Sequence, residues 1–345
     1  MLSYNNRTLL SDLSLINKII GKDNYKLKNK TILITGGTGF FGSWLLNYLD
    51  FLNKDFTYNI NLIVVTRSKK KFINENKHLD NKFINFIETD ILNLKIKSTK
   101  IDFLIHMATT NASDTYNYND TDKFEVLFEG TKKIVSFAVE NGVKKIIFTS
   151  SGAVYGSHER SVSETSPYSF STLDPNNTLA ISKLAAEHFL SKLCEKNRID
   201  YVILRCFSFI GNGLPLNIHY AAGNFVLDAM QNENIIIKGN GKEIRTYLDV
   251  RESIAWILKI LVKRNKNKIY NFGSDRHIKI EDLAKKIAKI ISPEKKIKIL
   301  QKISLHGNIH KNIYAPNIKL LKDDYDFVQK LSLEDSILNM YENLE

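Results

Sequence analysis

Cysteine is nearly missing from this chain: Cys194 and Cys206 are the two among 345 residues. Two thiols cannot build the disulfide framework of a small secreted domain, and they offer no metal-ligand spacing. They fall in a predicted helix and a predicted strand, where buried free thiols are expected. Long apolar runs are missing too. No stretch reaches the roughly 18 residues of a membrane-spanning helix, so no membrane insertion is expected. The opening Met-Leu-Ser-Tyr-Asn-Asn-Arg-Thr lacks the basic-then-apolar order of a secretory signal, and a cytoplasmic location is the expectation. Neither an internal repeat nor a low-complexity linker is found. Acidic residues are in deficit, 37 against 49 Lys and Arg, for a net charge of +12. Such an excess attracts anions. The lysines are scattered among Asn and Ile, without the dense basic arm and interleaved aromatics that grip a nucleic acid strand. A phosphorylated small molecule needs only a few of them.

The residues present at 31–42 are Thr-Ile-Leu-Ile-Thr-Gly-Gly-Thr-Gly-Phe-Phe-Gly. Thr31–Thr35 reads as a short β-branched strand, and Ser-Trp-Leu-Leu-Asn-Tyr-Leu after Gly42 reads as a helix. Gly36 permits the sharp turn, Gly39 lets backbone approach a pyrophosphate, and Gly42 lets helix pack on strand. The open N–H groups and dipole of the helix favour an anion at that point. Strand, glycine turn and helix together predict a dinucleotide site that includes Thr38, Phe40 and Phe41.

Further strands are expected at Ile60–Thr66, Phe83–Thr89, Ile101–Ala108, Lys144–Ser151 and Asp200–Phe207. Long helices are expected at Asp120–Glu140, ending near Asn141-Gly142, and at Asn177–Asn197. This alternation predicts an α/β fold with a Rossmann-type doubly wound parallel sheet, whose ligands sit beyond the carboxyl ends of the strands. Residues 1–30 read as a helical extension packed outside the sheet, and 31–212 as the dinucleotide-binding domain. Residues 213–345, with mixed short strands and helices, read mainly as a smaller α/β substrate lobe that returns some strands to the main sheet.

Seven motifs occur in one order along the chain: Thr-Gly-Gly-Thr-Gly-Phe-Phe-Gly at 35–42, Thr-Asp-Ile at 89–91, His-Met-Ala at 106–108, Thr-Ser-Ser-Gly-Ala-Val-Tyr-Gly at 149–156, Ser-Lys-Leu-Ala-Ala-Glu at 182–187, Gly-Asn-Gly-Lys-Glu-Ile-Arg-Thr-Tyr-Leu-Asp-Val at 239–250 and Tyr-Asn-Phe-Gly-Ser at 270–274. Together they resemble the extended short-chain dehydrogenase/reductase family of the epimerase/dehydratase type, which modifies nucleotide sugars. The resemblance runs from about Lys30 to Lys330. It implies that Asp90 and Ile91 meet the adenine and that Ala108 and Thr109 line the nicotinamide side. It implies that Ser151 hydrogen-bonds the reacting sugar oxygen and that Lys183 holds the nicotinamide ribose. Arg245 would grip the substrate diphosphate, where a guanidinium fork suits the chemistry. Asn111, Ser208 and Asn224 complete the expected substrate contacts, and a homodimer built on the helices at 120–140 and 177–197 is implied, with Phe124, Leu127, Phe128, Leu184 and Phe189 as candidate contacts.

The chain also departs from that family. The residue four before Lys183 is Leu179, where the family's Tyr-x-x-x-Lys signature has the proton-carrying tyrosine. Leu127 stands in place of a relay asparagine, and Ser208 in place of an asparagine. A substitute acid/base is therefore expected, from Lys183, Thr178, Ser151, His106, Tyr116 or Tyr118; the non-enzymatic alternative is a protein that binds nucleotide sugar with little turnover. Gly152 and Ala153 stand where the family's dehydratases carry Asp-Glu, and its decarboxylases a glutamate at the second place. Hydride chemistry at a ring carbon remains, most simply reduction of a 4-keto sugar in surface-polysaccharide assembly, or C4 epimerisation with resident NAD. At the end of the second strand Thr66 replaces the carboxylate usual for NAD, followed by Arg67-Ser68-Lys69-Lys70-Lys71. That loop would welcome a 2′-phosphate, so NADP is preferred over NAD.

Overall fold

The computed structural model of the protein describes residues 7–95, 100–109, 119–216, 218, 220–264, 267–301 and 312–344. Among the described residues a seven-stranded parallel sheet forms the centre. Strand β1 (Thr31–Thr35) pairs on one side with β2 (Asn61–Thr66), which pairs with β3 (Ile84–Glu88). On its other side follow β4 (Phe103–His106), β5 (Lys145–Ser151), β6 (Asp200–Cys206) and a late returning strand, β11 (Lys268–Phe272). Leu33, Ile146, Val202 and Phe272 are fully buried, because helices cover both faces. One face carries α4 (Asp120–Glu140) and α5 (Thr178–Asn197), packed on each other. The other carries α1 (Arg7–Ile20), α2 (Phe40–Phe56), α7 (Val250–Val262) and α9 (Lys319–Tyr325). The doubly wound α/β fold is therefore as expected.

Strand β4 is shorter than expected, since its ladder ends where Met107 and Ala108 turn against Gly36. A helix after β2, α3 (Lys69–Glu75), was not foreseen, because Lys-Lys-Lys gives no apolar period. Ser68 starts it by accepting the Lys71 N–H. The remaining chain builds small sheets beyond the strand ends. Strand β7 (Phe209–Ile210) pairs with β10 (Leu248–Asp249), and β8 (Asn234–Ile237) with β13 (Lys296–Ile299). Strand β9 (Ile244–Thr246) lies between β12 (His277–Lys279) and β14 (Ile313–Tyr314). Helices α6 (Ala221–Gln231), α8 (Ile280–Ile291) and α10 (Leu333–Glu342) share a second apolar core with β8.

Helix α1 is integral to the main core. Leu9, Leu13, Ile16 and Ile20 recur every three or four residues and are buried with α2 and α7. A buried ion cluster joins the same elements. Arg251 of α7 meets Asp12 and Asp249, each at 2.7 Å. Asn339 of α10 donates to Asp12 at 2.8 Å, and Ser336 to Asp249 at 2.7 Å.

Beside this cluster, Glu252 is fully buried and accepts the Lys330 N–H at 2.5 Å. Burial pushes its pKa up to about 7. The folded state thus holds a proton that the unfolded chain releases near its ordinary value. This contribution is fully present below the unfolded pKa and is lost as pH rises through about 7. Urea unfolding of wild type against Glu252→Gln from pH 5 to 8 should resolve a relative loss on the order of 3 kcal/mol in wild type. Parallel pH profiles would refute it.

Candidate active site

The turn between β1 and α2 lies at the carboxyl ends of β1 and β4, where the strand order reverses. Gly36 has φ +72°, and a Cβ there would stand 2.7 Å from the Met107 carbonyl. A Cβ on Gly42 would stand 2.4 Å from the Gly36 carbonyl oxygen. Both positions are closed by the protein itself. Gly39 differs: it is exposed, and its Cβ would meet nothing nearer than 3.4 Å. It also forms the N-cap of α2 without any side-chain cap, which leaves the first N–H groups of the helix open. An open cradle on an uncapped helix fits a pyrophosphate, and Gly36, Thr38, Gly39, Phe40, Phe41 and Gly42 surround it. Phe40 stacks on Phe41 at 5.5 Å, and Phe41 meets Phe209 edge-on at 4.7 Å.

At the far end of this cradle the Thr38 hydroxyl contacts that of Thr66 at 3.2 Å. Arg67 and Ser68 are exposed. Lys69 instead pairs with Asp80 at 2.9 Å, and its N–H donates to Glu88 at 3.1 Å. The sequence order hid that carboxylate: β3 delivers Glu88 opposite Thr66. Asp90 caps a 3-10 turn by accepting the Leu92 N–H at 2.8 Å, and Ile91 packs against Gly130 of α4, where a Cβ would clash at 2.8 Å.

Beyond β4, Ala108 donates its N–H to Thr35 at 3.2 Å, and Thr109 is exposed. Asn111, Tyr116 and Tyr118 lie outside the described residues. His106 is buried beneath the crevice. The Thr131 hydroxyl gives its proton to the Leu127 carbonyl at 2.7 Å, so it accepts from Nε2–H of His106 at 3.0 Å. Nδ1 is left to accept from the Thr35 hydroxyl at 2.6 Å. Burial, then the charge of Lys183, pushes this imidazole down to about 3. It stays neutral, with both nitrogens engaged.

Lys183 projects from α5 into the space under β5. Its ammonium donates to the Thr149 carbonyl at 2.9 Å and sits 4.8 Å from the centre of the Phe148 ring. Burial pushes its pKa down to about 8. Leu179, one turn earlier on α5, is 38% exposed. Thr178 donates to the Pro175 carbonyl at 2.8 Å, which ties it into the helix start.

Ser151 ends β5 with its oxygen accepting the Ala153 N–H at 3.1 Å. Tyr314 of β14 comes to it from the far end of the chain. Its hydroxyl donates to the Cys206 carbonyl at 3.4 Å, and the nearby Ser151 hydroxyl partly offsets the burial that raises its pKa. Arg245 lies opposite Tyr314 in the parallel β9–β14 pair, 5.8 Å from its ring centre. Its guanidinium donates to the Ile244 and Asn312 carbonyls. Asn224 donates to the Ile218 carbonyl at 2.7 Å, and Ser208 is half-buried between β6 and β7. The fold thus brings Ser151, Tyr314 and Arg245 together. Sequence reasoning missed Tyr314 and Glu88, since neither lies in a local motif.

A buried ion pair supports the site from below. Arg205 of β6 meets Glu187 of α5 at 2.7 Å, and Ser150 donates to Glu187 at 2.5 Å. Arg205 also donates to the Tyr155 hydroxyl at 2.9 Å and the Tyr168 hydroxyl at 3.0 Å.

A parallel sheet with a glycine cradle at its switch point, and a serine and a lysine at the carboxyl end of β5, defines a Rossmann-type α/β protein. Residues 32–273 match the NAD dependent epimerase/dehydratase family, and the chain belongs to that family. A dTDP-D-glucose 4,6-dehydratase of Dictyostelium discoideum is 30% identical over 281 residues, covering 75% of this chain and 62% of that protein. The human dTDP-D-glucose 4,6-dehydratase is 28% identical over 268 residues, covering 76% and 74%. A UDP-N-acetyl-alpha-D-glucosaminuronate decarboxylase of Bacillus cytotoxicus is 24% identical over 89% of this chain and 95% of its own length. Among solved structures, the UDP-N-acetylglucosamine 4-epimerase of Methanobrevibacter ruminantium superposes with a TM-score of 0.77 at 21% identity, over 92% of this chain and 98% of that one. The UDP-glucuronic acid 4-epimerase of Bacillus cereus, solved with UDP-glucuronic acid and NAD, gives 0.76 at 20% identity, over 91% and 98%. These two likenesses establish the fold. No helix among the described residues is long and apolar enough to cross a membrane.

Proposed function

We propose that the protein is a nicotinamide-dependent oxidoreductase that reduces a keto group on a nucleotide-linked sugar, most simply a 4-keto sugar. What supports this reading is that the open Gly39 cradle follows β1 while Ser151 and the Lys183 ammonium sit at the carboxyl end of β5, on the same edge of one parallel sheet. The coenzyme, when bound, supplies or accepts a hydride at the nicotinamide. Gly36–Gly42 hold its pyrophosphate, Asp90 and Ile91 its adenine end, Ala108 and Thr109 its nicotinamide side, and Lys183 its ribose. Ser151 polarises the sugar oxygen, and Arg245 faces the substrate diphosphate. In this reading residues 31–212 bind the dinucleotide and residues 213–345 mainly the substrate. Elimination of water is disfavoured at this site. A side chain at Gly152 would stand 2.8 Å from both Phe207 and the Tyr314 hydroxyl, so the acid of a dehydratase has no room there.

Thr66, Arg67, Ser68, Lys70 and Lys71 support NADP(H) in that role. Glu88 and the Lys69–Asp80 pair support a second reading, a C4 epimerase that retains NAD. Denaturing the purified protein and identifying any released nucleotide separates the two. The reductase reading expects NADPH absorbance at 340 nm to fall when nucleotide keto-sugars are added. Tightly held NAD with no net NADPH consumption would replace it by the epimerase reading. Binding of both ligands without turnover would leave only a binding function.

The α4–α5 face supports a homodimer. A groove of about 670 Å³ there is lined by Phe128, Tyr168, Phe170, Ile181, Leu184 and Phe189. Phe124 is also exposed on this face, whereas Leu127 is buried.

A further inference from the structure

Tyr314 stands beside Ser151: a Cβ on the adjacent Gly152 would lie 2.8 Å from its hydroxyl. It arrives on β14, which pairs in parallel with β9 and sets Tyr314 opposite Arg245. Its ring packs on Phe207 at 4.9 Å. Its hydroxyl donates to the Cys206 carbonyl at 3.4 Å, at the end of β6 beside the Ser151 end of β5. The Ser151 oxygen accepts from the Ala153 N–H, which leaves its own proton for a partner in the same space. Two departures of the chain converge on this phenol. Leu179 removes the tyrosine from α5. Gly152 removes a side chain that would collide with the Tyr314 hydroxyl at 2.8 Å.

We propose that Tyr314 is the general acid of the reduction, standing in for the tyrosine that Leu179 replaces. This rests on the reductase reading above. In the step, the sugar carbonyl carbon gains a hydride, with its electron pair, from the reduced nicotinamide. The carbon–oxygen π bond breaks toward oxygen, and that oxygen takes the Tyr314 proton. The sugar gains two electrons and the coenzyme loses two; solvent returns a proton to the phenolate. Burial keeps the free phenol protonated, its pKa pushed up to about 12, which suits a donor to an alkoxide better than a base toward a hydroxyl. The same property favours reduction over the oxidation that opens an epimerase cycle.

The test compares wild type, Tyr314→Phe and the double variant Tyr314→Phe/Leu179→Tyr. Phenylalanine keeps the ring, so the contacts with Phe207 and Arg245 survive. The expected result is a fall in kcat of about a hundredfold or more, with KM and the calorimetric Kd for nucleotide sugar within about threefold. The double variant regains at least about tenfold in kcat. In protein labelled with ¹³C at tyrosine Cζ, the Tyr314 resonance, identified by its loss in Tyr314→Phe, moves in Ser151→Ala. A Tyr314→Phe kcat within about threefold of wild type overturns the proposal, as does a Kd that weakens as much as kcat falls. A wild type that binds both ligands and reduces no keto-sugar overturns the reductase reading itself, and the acid with it.

Discussion

Glu187→Ala is expected to destabilise the protein by about 3–5 kcal/mol, the usual cost of stranding one charge of a buried pair. Arg205 is 2% exposed and Glu187 4%. Arg205 would keep the Tyr155 and Tyr168 hydroxyls as acceptors but lose its carboxylate partner. Ser150 would lose its acceptor as well. Urea denaturation at neutral pH measures the effect, and a loss below about 1 kcal/mol would contradict the assignment. Glu187 also shares α5 with Lys183, and Ser150 adjoins Ser151. Dinucleotide affinity should therefore fall in the same variant, even though neither member of the pair faces the crevice.

The second large effect separates the glycines. Gly42→Ala forces a Cβ within 2.4 Å of backbone, and α2 must move away from β1. A loss of several kcal/mol, on the order of an overpacked core site or more, is expected in thermal or urea unfolding. Gly39→Ala meets no such obstacle, and its φ of −86° is ordinary for any residue. Its melting temperature should stay within about 3 °C of wild type. Its dinucleotide Kd should nevertheless weaken at least about tenfold, because the methyl enters the space left for the phosphates. Equal affinity in Gly39→Ala and wild type, measured by calorimetry, would remove the pyrophosphate from this turn.

The glycine turn was readable because its requirement is local. Gly36 needs a positive φ, a property of its own backbone, and Gly42 needs contact with Gly36 and Gly37, within six residues of it. Helix α4 likewise coincides with its expected span, since Asn119 caps its start and the apolar period runs unbroken to Glu140. Helix α3 escaped notice because a single serine cap and a lysine run carry no amphipathic signal. The cation-rich loop after β2 looked free of carboxylates along the chain. The sheet corrected that by setting Glu88 beside Thr66, one strand away.

Chain order and residue type alone determined the parallel α/β architecture, the phosphate cradle and the loss of the tyrosine at Leu179. Periodicity, backbone freedom and side-chain chemistry are properties of short segments, and they are written where they act. Only the tertiary structure decided what stands beside Ser151. Residues 151 and 314 share no segment, and their meeting depends on β14 joining β9 beyond the end of the main sheet.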